Sequence, residues 1–371
     1  MFMWQMIITA AIAVFAAGLI YISVRSARFA FVQKLVRGKK FVAWLVCFAF
    51  FAVVTAALAL LLNVVNSLIC ILHLCVFWLI CDLAGLIINK IRGKKPARYY
   101  AGGIAAALCA VYLVYGWVSA HNVQQTFYEF SSGKITEKMR IVQISDSHIG
   151  AVFGSDKFAE YIAEINTLSP DVVVITGDFV DDDTPKDELL RSCDALGELN
   201  TKYGVFFVWG NHDKGYYSES SRGWSHSLLR ERLEANGVTV LEDDYRLIGE
   251  SVYIVGRLDR SGRGGRKSAQ ELLRQLDPGK YTVILDHQPH DFAGESEAGA
   301  DLVLCGHTHG GQFIPIRHVG EWIGENDLRY GHEKWQGTDF IVSSGIGCWS
   351  FKFKTGCISE YVIIDLKPAN N

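Results

Sequence analysis

The first 120 residues of the chain contain a single acidic residue, Asp82, against eleven Lys and Arg. The rest of the chain has the opposite imbalance, with 25 Lys and Arg against 38 Asp and Glu, a net charge of −13. An acidic domain is a poor partner for polyanions, because proteins bind phosphate backbones through Lys and Arg. We therefore expect no nucleic-acid polymer among its partners.

Cysteine is scarce where a disulfide framework would need it. Five of the nine cysteines lie in apolar runs, where cysteine behaves as a small hydrophobic residue. The acidic half contains only four, which excludes a disulfide-dense scaffold: Cys193, Cys305, Cys348 and Cys357. One pairing stays open, because Cys348 and Cys357 could close a short loop if they lie outside the reducing cytoplasm.

The basic half contains four apolar runs long enough to span a bilayer, which takes about 20 residues of helix. These runs are Trp4–Val24, Phe41–Leu62, Ser67–Ile88 and Tyr99–Ala120. The loops after the first and third runs hold six and five Lys and Arg, and the link around 63–66 holds none. Because positive loops stay in the cytoplasm, we expect an integral protein of the cell membrane whose acidic half is extracytoplasmic.

Two ionisable residues, His73 and Asp82, lie within the third apolar run. An ionisable group inside the membrane is by default a functional candidate. Nothing else in these runs suggests a transport path, since they lack the interrupted, polar helices that transporters use for binding. We therefore favour a structural role in which Asp82 forms bonds within the helix bundle.

After Ala120 the pattern changes to short apolar runs separated by polar, periodic stretches. Eight runs are predicted to be strands: Arg140–Ser145, Val172–Thr176, Val205–Trp209, Val252–Gly256, Thr282–Leu285, Leu302–Leu304, Phe340–Ser343 and Tyr361–Ile364. Helices are predicted at Phe158–Leu168, Glu188–Leu199 and Ser225–Asn236, the last of which stops at Gly237. Alternating strands and helices indicate an α/β domain with largely buried sheets.

Metal-binding residue types follow five of these strands directly. They are Asp146-Ser147-His148, Gly177-Asp178, Gly210-Asn211-His212-Asp213, His287 and Gly306-His307-Thr308-His309. In open α/β sheets, ligands bind at the carboxyl ends of strands, and the glycines let the backbone turn sharply there. Carboxylates, imidazoles and amide oxygens are ligands for Zn, Mn or Fe. The set is too large for one ion, and Asp178 could bridge two ions about 4 Å apart.

Each motif alone is a weak signal. A lone Asp-x-His is about as often a solvated turn as a site, and a lone Gly-Asp is weaker still. Five such motifs in this order, each after a β-like run, are not explained by chance. The remaining histidines are interpreted as ordinary polar or interfacial residues: His121, His226, His290, His318 and His332.

The ordered motifs resemble those of the calcineurin-like metallophosphoesterase superfamily over about residues 138–366. The stretch 305–312, Cys-Gly-His-Thr-His-Gly-Gly-Gln, resembles a membrane-anchored subgroup that includes the transmembrane protein with metallophosphoesterase domain. The resemblance implies a four-layer α-β-β-α sandwich of two mixed sheets. We thus expect an all-α bundle of four transmembrane helices (1–120), a linker and leading strand (121–138) and a metallophosphoesterase domain (139–371).

The resemblance also implies roles for residues at matching positions. A first metal ion would be held by Asp146, His148 and His309. A second would be held by Asn211, His287 and His307, with Asp178 bridging the two. His212 would stand outside the metal shell and assist the leaving group, and Asp181 matches the acid that orients this histidine in some members. The cofactors implied are two divalent ions, Mn, Fe or Zn.

The implied activity is hydrolysis of a phosphodiester or phosphomonoester by a hydroxide that bridges two metal ions. The expected partners are this phosphate ester, lipid-linked or from the cell envelope, and membrane lipids. One alternative is a pyrophosphate hydrolase acting on a lipid-linked nucleotide similar to UDP-2,3-diacylglucosamine. Another is a non-catalytic membrane sensor, although a retired site would be expected to lose ligands and all seven are present.

One departure from the superfamily pattern bears on the substrate. Its protein Ser/Thr phosphatases have Asp-Arg-Gly where this chain has three aspartates at 181–183. The missing phosphate-binding arginine argues against a protein phosphatase. Arg257, Arg260 and Arg263 are alternative anchors, although a solvated loop is the preferred interpretation of this stretch.

Overall fold

A computed structural model of the chain describes residues 2–94, 96, 98–262, 265–314 and 316–369, with side chains described at residue 9 and from residue 12 onward. The chain forms two compact units, Met1–Gly116 and Trp117–Asn371.

The first unit is helical. Its helices are α1 (Phe2–Ser26), α2 (Ala30–Leu35), α3 (Lys40–Leu62), α4 (Val64–Arg92) and α5 (Ala101–His121), which continues into the second unit. Among the described residues, α3, α4 and α5 are long and apolar enough to cross a membrane, and the apolar stretch assigned in α1 is Ile12–Ser26. The predicted apolar helical bundle is thus confirmed, with three or four spans.

Polar atoms in this first unit converge on Asp82. Its carboxylate accepts hydrogen bonds from the hydroxyls of Tyr21 (2.6 Å) and Tyr99 (2.7 Å). Nη2 of Arg25 lies 2.5 Å from Oδ1. Asp82 therefore bonds within the bundle, the arrangement expected of a structural residue.

The second unit contains two six-stranded sheets. The first has the order β1-β12-β2-β3-β4-β5, formed by Val123–Ser132, Ser359–Pro368, Met139–Ile144, Val172–Ile175, Val205–Phe207 and Val238–Val240. The second has the order β10-β11-β9-β8-β7-β6, formed by Gly331–Trp335, Thr338–Val342, Leu302–Cys305, Tyr281–Leu285, Val252–Gly256 and Asp244–Ile248. Both sheets are mixed, since β12 runs antiparallel to β2 and β6 antiparallel to β7.

Helices cover both outer faces of the paired sheets. They are α6 (Ser155–Thr167), α7 (Lys186–Leu196), α8 (Glu219–Arg222), α9 (His226–Ala235), α10 (Ala269–Leu273), α11 (Phe292–Glu297) and α12 (Val319–Trp322), and 3₁₀ turns occupy His309–Gly311 and Ile316–His318. Both ends of α9 have capping residues. At its start Ser225 accepts a hydrogen bond from the backbone of Leu228, and after its end Gly237 has a left-handed φ of 75°.

Alternate residues of the strands face different layers. In β2 and β3, Val142 and Val173 pack with α6 and α7, whereas Ile141 and Val172 pack against the second sheet. A third cluster joins the outer face of the second sheet, including Ile284, to α10 and α11. Successive strand residues point to opposite faces, so buried sheets need apolar residues at both positions. The predicted four-layer α-β-β-α fold is confirmed.

All eight predicted strands are present, but three further strands have no counterpart in the predictions. They are β5, β6 and β10, each three to five residues long and each at the edge of a sheet. Most residues of β6 and β10 are partly or fully exposed. An edge strand with an exposed face gives no continuous apolar run, so the pattern used to find buried strands passes over it.

Candidate metal centre

Strands β2, β3 and β4 run parallel, so the segments that follow them meet at one edge of the first sheet. The turns after β2 and β3 are joined by backbone hydrogen bonds. The amide of Asp146 donates to the carbonyl of Gly177 (3.0 Å), and the amide of His148 donates to that of Asp178 (3.1 Å). These bonds bring side chains about 30 positions apart in the sequence to the same place.

Backbone strain concentrates at this edge. Five of the seven residues predicted as metal ligands have a left-handed φ between 40° and 71°: Asp146, His148, Asp178, His307 and His309. For residues other than glycine this conformation is costly, and it is characteristic of functional sites whose surroundings over-determine it.

The three motif glycines serve two different purposes. Gly177 has a φ of 85° and provides the sharp turn expected of it. Gly210 and Gly306 instead provide space. A Cβ at Gly210 would lie 2.1 Å from Oδ1 of Asp178, and one at Gly306 would lie 1.9 Å from Oγ of Ser145. A side chain at either position would displace the carboxylates of the site.

The first group of candidate ligands is Asp146, His148 and His309, whose ligand atoms all lie within 4.8 Å of one another. All three side chains are buried. Both carboxylate oxygens of Asp146 accept a hydrogen bond from the backbone amide of His307 (3.0 Å each). Nε2 of His309 lies 3.6 Å from Oδ1 of Asp146.

The second group is Asp178, His287 and His307, again with ligand atoms within 4.8 Å of one another. Nδ1 of His287 donates to the carbonyl of Thr176 (2.7 Å), which leaves Nε2 with a lone pair in the neutral ring. This Nε2 lies 3.1 Å from Oδ1 of Asn211. Both atoms are then acceptors, so their approach requires a cation, either a proton or a metal ion, between them.

The amide of Asn211 is held with its oxygen towards His287. Nδ2 of Asn211 donates to the hydroxyl of Tyr216 (2.9 Å), which fixes the orientation of the amide group. The sequence gives no sign of this tyrosine, which lies five positions after Asn211 in a loop.

Asp178 lies between the two groups. Its Oδ2 is 3.1 Å from Nε2 of His287 and 3.6 Å from Nε2 of His148. Its Oδ1 accepts a hydrogen bond from the backbone amide of His212 (2.8 Å). One carboxylate oxygen thus faces an imidazole of each group.

The donor atoms fit two divalent ions. Nε2 of His148 and Nδ1 of His309 are buried, and neither has a hydrogen-bond partner among the described residues. A buried polar nitrogen left without a partner is costly, so each calls for an ion or another unseen partner. Nδ1 of His148 faces a carboxylate and Nδ1 of His287 a carbonyl, the usual support for metal-binding histidines. An Asp, His and Asn donor set suits Zn, Mn or Fe.

Electrostatics keep several groups in the protonation state that binds metals. Burial and the nearby His287 lower the pKa of His307 to about 4, and burial lowers the pKa of His309 well below its usual value. Burial alone would raise the pKa of Asp178, but the imidazoles of His287 and His148 hold it well below its usual range. Neutral imidazoles and an ionised carboxylate are the forms that coordinate cations. At the other two histidines burial is outweighed by the nearby carboxylates, which raise the pKa of His287 and His148, so a metal ion would have to displace a proton there.

His212 belongs to neither ligand group and borders both. Its ring centroid lies 5.1 Å from that of His148, 5.1 Å from Tyr216 and 5.4 Å from Trp349. Burial lowers the pKa of His212, and the neighbouring carboxylate of Asp178 acts in the opposite direction. The ring is therefore held by aromatic neighbours beside the ligand cluster.

The carboxylate of Asp181 faces His148 in the structure. The resemblance implied that this carboxylate orients His212, but its Oδ2 lies 3.3 Å from Nδ1 of His148. The segment after β3 turns back along the residues after β2, which brings Asp181 under His148. The carboxylate of Asp181 also acts on the pKa of His212, so its predicted role towards that residue stays a prediction.

Asp213 is a central residue that the sequence analysis left without a role. Its carboxylate accepts hydrogen bonds from four backbone amides: Asp178 (2.9 Å), Phe179 (2.8 Å), Val180 (3.2 Å) and Gly210 (2.7 Å). Burial and the carboxylate of Asp178 raise the pKa of Asp213 to about 7. Asp213 joins the segment after β3 to the segment after β4. Its position in the Gly-Asn-His-Asp motif was the available signal.

The arginines considered as phosphate anchors do not form a cluster in the described residues. Arg257 is only 2% exposed and pairs with Asp286 (3.1 Å), Asp291 (2.8 Å) and Glu295 (2.9 Å). Both the anchor role and the solvated-loop interpretation are therefore wrong for Arg257. Arg260 lies 4.0 Å from Glu325, and Arg263 lies outside the described residues.

The two cysteines whose pairing was left open are free thiols. Cys348 and Cys357 are both buried. Sγ of Cys357 donates to the carbonyl of His309 (3.0 Å), one of the candidate metal ligands.

Comparison with known proteins places these residues in a wider context. The calcineurin-like phosphoesterase family model matches residues 139–311. The chain is 32% identical over 239 residues to an uncharacterized metallophosphoesterase of Aquifex aeolicus, covering 63% of this chain and 87% of that protein. It is 28% identical over 310 residues to a Campylobacter jejuni metallophosphoesterase, covering 80% of this chain and 78% of that protein.

One vertebrate relative is named as a transmembrane protein. The chain is 32% identical over 281 residues to the transmembrane protein with metallophosphoesterase domain of Danio rerio. The match covers 72% of this chain and 62% of the zebrafish protein, so the chain spans less than two thirds of that relative.

Proposed function

The chain belongs to the calcineurin-like metallophosphoesterase family, and from this premise we propose that it hydrolyses a phosphodiester or phosphomonoester at a centre of two divalent metal ions. Membership of the family makes it a metal-dependent hydrolase of phosphoester bonds, and its long apolar helices indicate a membrane protein. The proposal adds the number of ions at the site, their ligands and the roles of the neighbouring residues.

The position of Asp178 between the two ligand groups is the observation that most directly supports a centre of two metal ions. One carboxylate oxygen faces Nε2 of His148 on one side and Nε2 of His287 on the other. Asp146, His148 and His309 would hold the first ion, and Asn211, His287 and His307 would hold the second. Asp178 would contact both, because its Oδ2 faces one histidine of each group.

When bound, two divalent ions supply hydroxide at neutral pH and neutralise charge that develops on the phosphoryl oxygens. The protein holds the ligands for this task. Asp213 fixes the two segments that carry Asp178 and Asn211, and Tyr216 sets the direction of the Asn211 amide. Thr176 selects the tautomer of His287 in which Nε2 faces the site.

His212 would assist departure of the leaving group. Its ring lies beside both ligand groups but outside them, and its backbone amide is bound to Asp178. A proton or hydrogen bond from this ring to the departing oxygen stabilises the alkoxide as the ester bond breaks. Tyr216 and Trp349 flank the ring and limit its movement.

The second unit, Trp117–Asn371, is called the catalytic unit from here on, and it would lie on the extracytoplasmic side of the membrane. The charge asymmetry of the loops between the apolar runs supports this orientation. A reporter enzyme that is active only outside the cytoplasm, fused after Asn371, should be active. Activity of a reporter that works only in the cytoplasm would reverse the orientation.

The activity is tested on the purified full-length chain. Metal is removed with a chelator, and Mn, Fe or Zn is returned singly before turnover of a phosphodiester, a phosphomonoester and a lipid-linked pyrophosphate is measured. We expect about two ions per chain at full activity and no activity after chelation. Binding of a single ion, or no turnover of any ester with any of the three metals, would contradict the proposal.

A further inference from the structure

Exposed apolar side chains of the catalytic unit are concentrated in one segment. Eleven large hydrophobic residues are exposed in the described part of the chain after residue 122, and five of them lie within ten positions: Ile314, Ile316, Val319, Trp322 and Ile323. Trp322 is 73% exposed, Ile323 67% and Ile316 59%. We name these five residues the apolar lip. A contiguous apolar surface of this kind marks a binding surface for protein or lipid.

The backbone of the lip gives its side chains a common direction. Residues 316–318 form a 3₁₀ turn that continues into α12 at Val319–Trp322. Ile316, Val319 and Ile323 are spaced by three and four positions, and side chains at this spacing lie on the same side of a helical turn. The lip therefore presents a surface rather than scattered apolar residues.

Aromatic contacts connect the base of the lip to the candidate metal centre. The ring of Phe313, next to the lip, lies 5.3 Å from that of Phe351. Phe351 in turn lies 6.0 Å from Trp349, and Trp349 lies 5.4 Å from His212. The residue proposed to act on the leaving group is thus three ring contacts away from Phe313, which precedes the lip.

The same segment is bonded to the end of the apolar helix α5. Nε2 of Gln312 donates to the carbonyls of Phe351 (3.3 Å) and Phe353 (3.2 Å). The ring of Phe353 lies 5.7 Å from that of Trp117, in the last turns of α5. Oγ of Ser359 donates to the carbonyl of Ala120 (2.9 Å), which fastens β12 to the same helix end.

We expect the lipid headgroup level near Trp117. The helix α5 is long and apolar enough to cross a bilayer, and tryptophan is enriched at the ends of such helices, at the level of the lipid headgroups. Trp117 contacts Phe353, Gln312 bonds to the backbone of Phe353 and Phe351, and Phe351 contacts Trp349. These contacts connect the expected lipid headgroup level to the edge of the catalytic site.

We propose that the apolar lip inserts into the lipid surface beside the end of α5, and that the substrate of the metal centre is a phosphoester carried by a bilayer lipid. This inference rests on the proposed function and names the substrate class of the same site. Lipid is favoured over a partner protein because the segment that leads into the lip is joined through Gln312 and Phe353 to the end of the apolar helix α5. Its Trp322 and its isoleucines are residue types that bury well at the headgroup and acyl boundary.

The reaction on such a lipid is an ordinary hydrolysis. The oxygen of hydroxide forms a new bond to phosphorus, and the bond from phosphorus to the leaving oxygen breaks. His212 donates a hydrogen bond to the leaving oxygen, which takes its proton from water. With the acyl chains in the bilayer and the lip beside them, the phosphate would reach the metal centre without the lipid leaving the membrane.

Insertion of the lip is tested by tryptophan fluorescence of the full-length chain in lipid vesicles. Vesicles of phosphatidylcholine are compared with vesicles whose acyl chains carry bromine, which quenches nearby tryptophans. The quenched emission of the unmodified chain should exceed that of Trp322→Phe, because Trp322 contacts lipid. Trp335→Phe is the matched control, since Trp335 is 41% exposed on β10 and should not contribute to the quenched fraction.

Substrate class is tested with two esters of the same phosphate chemistry. One is a phosphodiester lipid held in the vesicle, and the other is a water-soluble aryl phosphodiester. In Ile316→Ser/Ile323→Ser, kcat/KM for the vesicle lipid should fall about tenfold, equivalent to about 1.4 kcal/mol. Turnover of the soluble ester should change less than about twofold. Phe127→Ser/Leu247→Ser alters two exposed apolar residues on β1 and β6 and should change neither rate.

The outcomes separate this inference from the proposed function. Equal quenching of the unmodified chain and Trp322→Phe, with equal losses on both esters, would overturn the lip while leaving the phosphoesterase intact. A change of oligomeric size in the lip variant without any change in quenching would assign the lip to a protein contact and overturn the lipid proposal. Absence of turnover of both esters by the metal-loaded unmodified chain would overturn the proposed function, whereas the quenching experiment would still test the lip.

Discussion

Two buried aspartates, Asp82 in the helical bundle and Asp178 in the catalytic unit, show how the same residue type serves two purposes. Asp82 has a guanidinium and two hydroxyls around it, so its charge is neutralised by the protein itself. Asp178 faces Nε2 of His148 and of His287, and a second buried carboxylate, Asp146, lies close by. The bundle supplies its own positive charge, whereas the catalytic unit leaves negative charge in excess.

The difference separates structural from functional polar clusters. A buried carboxylate whose oxygens are all partnered by donors is stable as it stands and has no need of a ligand. A buried group of carboxylates and acceptor nitrogens is stable only with added cations. The strained backbone of five site residues fits the second case, because such strain persists where the surroundings impose it.

The same substitution in both places tests this contrast, and the larger effect is expected at Asp178. Asp178→Asn preserves the shape of the side chain and removes the charge shared between the two groups. We expect metal content to fall from about two ions to one or none and turnover to fall by at least about 10⁴-fold. Metal analysis by mass spectrometry and turnover of an aryl phosphodiester measure the two losses. Full retention of both ions would show that Asp178 does not bridge.

The next effect in size concerns His212, which borders the cluster without belonging to it. His212→Ala should keep both ions and lose roughly 10²–10⁴-fold in rate, the usual contribution of a general acid. The loss should shrink for a nitrophenol ester, because an acidic leaving group departs without a proton. Loss of metal in His212→Ala to the extent seen in Asp178→Asn would show that His212 is a ligand.

These two residues also show what the sequence could and could not predict. The motif order located all seven candidate ligands, because each follows a buried apolar strand and the carboxyl ends of parallel strands meet. The partners of those ligands were not predictable in this way. Tyr216 and Asp213 act through loop geometry, and loops leave no periodic signal in the sequence.

The predictions of the strands also succeeded in the buried parts of the fold and failed at its edges. Continuous apolar runs predicted the eight strands buried between layers, and their ends match within a few residues. The edge strands β5, β6 and β10 were missed because short, partly exposed strands have no such run. The prediction for Arg257 was wrong because its ion-pair partners are distant in the sequence. Its partners come from α11 and from the segment around it, about 30 to 40 positions away in the sequence.

A smaller effect is expected at Asp181, whose carboxylate faces Nδ1 of His148. If Asp181 supports His148, Asp181→Asn should weaken metal binding by about 10–100-fold, the usual consequence of removing a carboxylate behind a metal-binding histidine. Turnover should recover at high metal concentration. Asp183→Asn is the control, because this neighbouring carboxylate is exposed. A rate loss that persists at saturating metal and shrinks for a nitrophenol ester would assign Asp181 to His212 instead.

The smallest effect on catalysis is expected in the bundle. Asp82→Asn preserves the shape of the side chain and leaves Arg25 without its counter-charge in apolar surroundings. Hydrogen bonds that involve a charged group contribute roughly 1.5–3 kcal/mol, and polar contacts between membrane helices average less, so we expect a loss of about 1–3 kcal/mol. The apparent unfolding temperature of the full-length chain in detergent should fall, while metal content and turnover of a soluble ester should match the unmodified chain.

Arg25→Gln should lower the unfolding temperature by a similar amount. The double variant should lower it by less than the sum of the two single effects, because both residues belong to one pair. Loss of bound metal in Asp82→Asn would contradict the contrast between a structural Asp82 and a metal-binding Asp178, since it would show that the charge in the bundle also affects the metal centre.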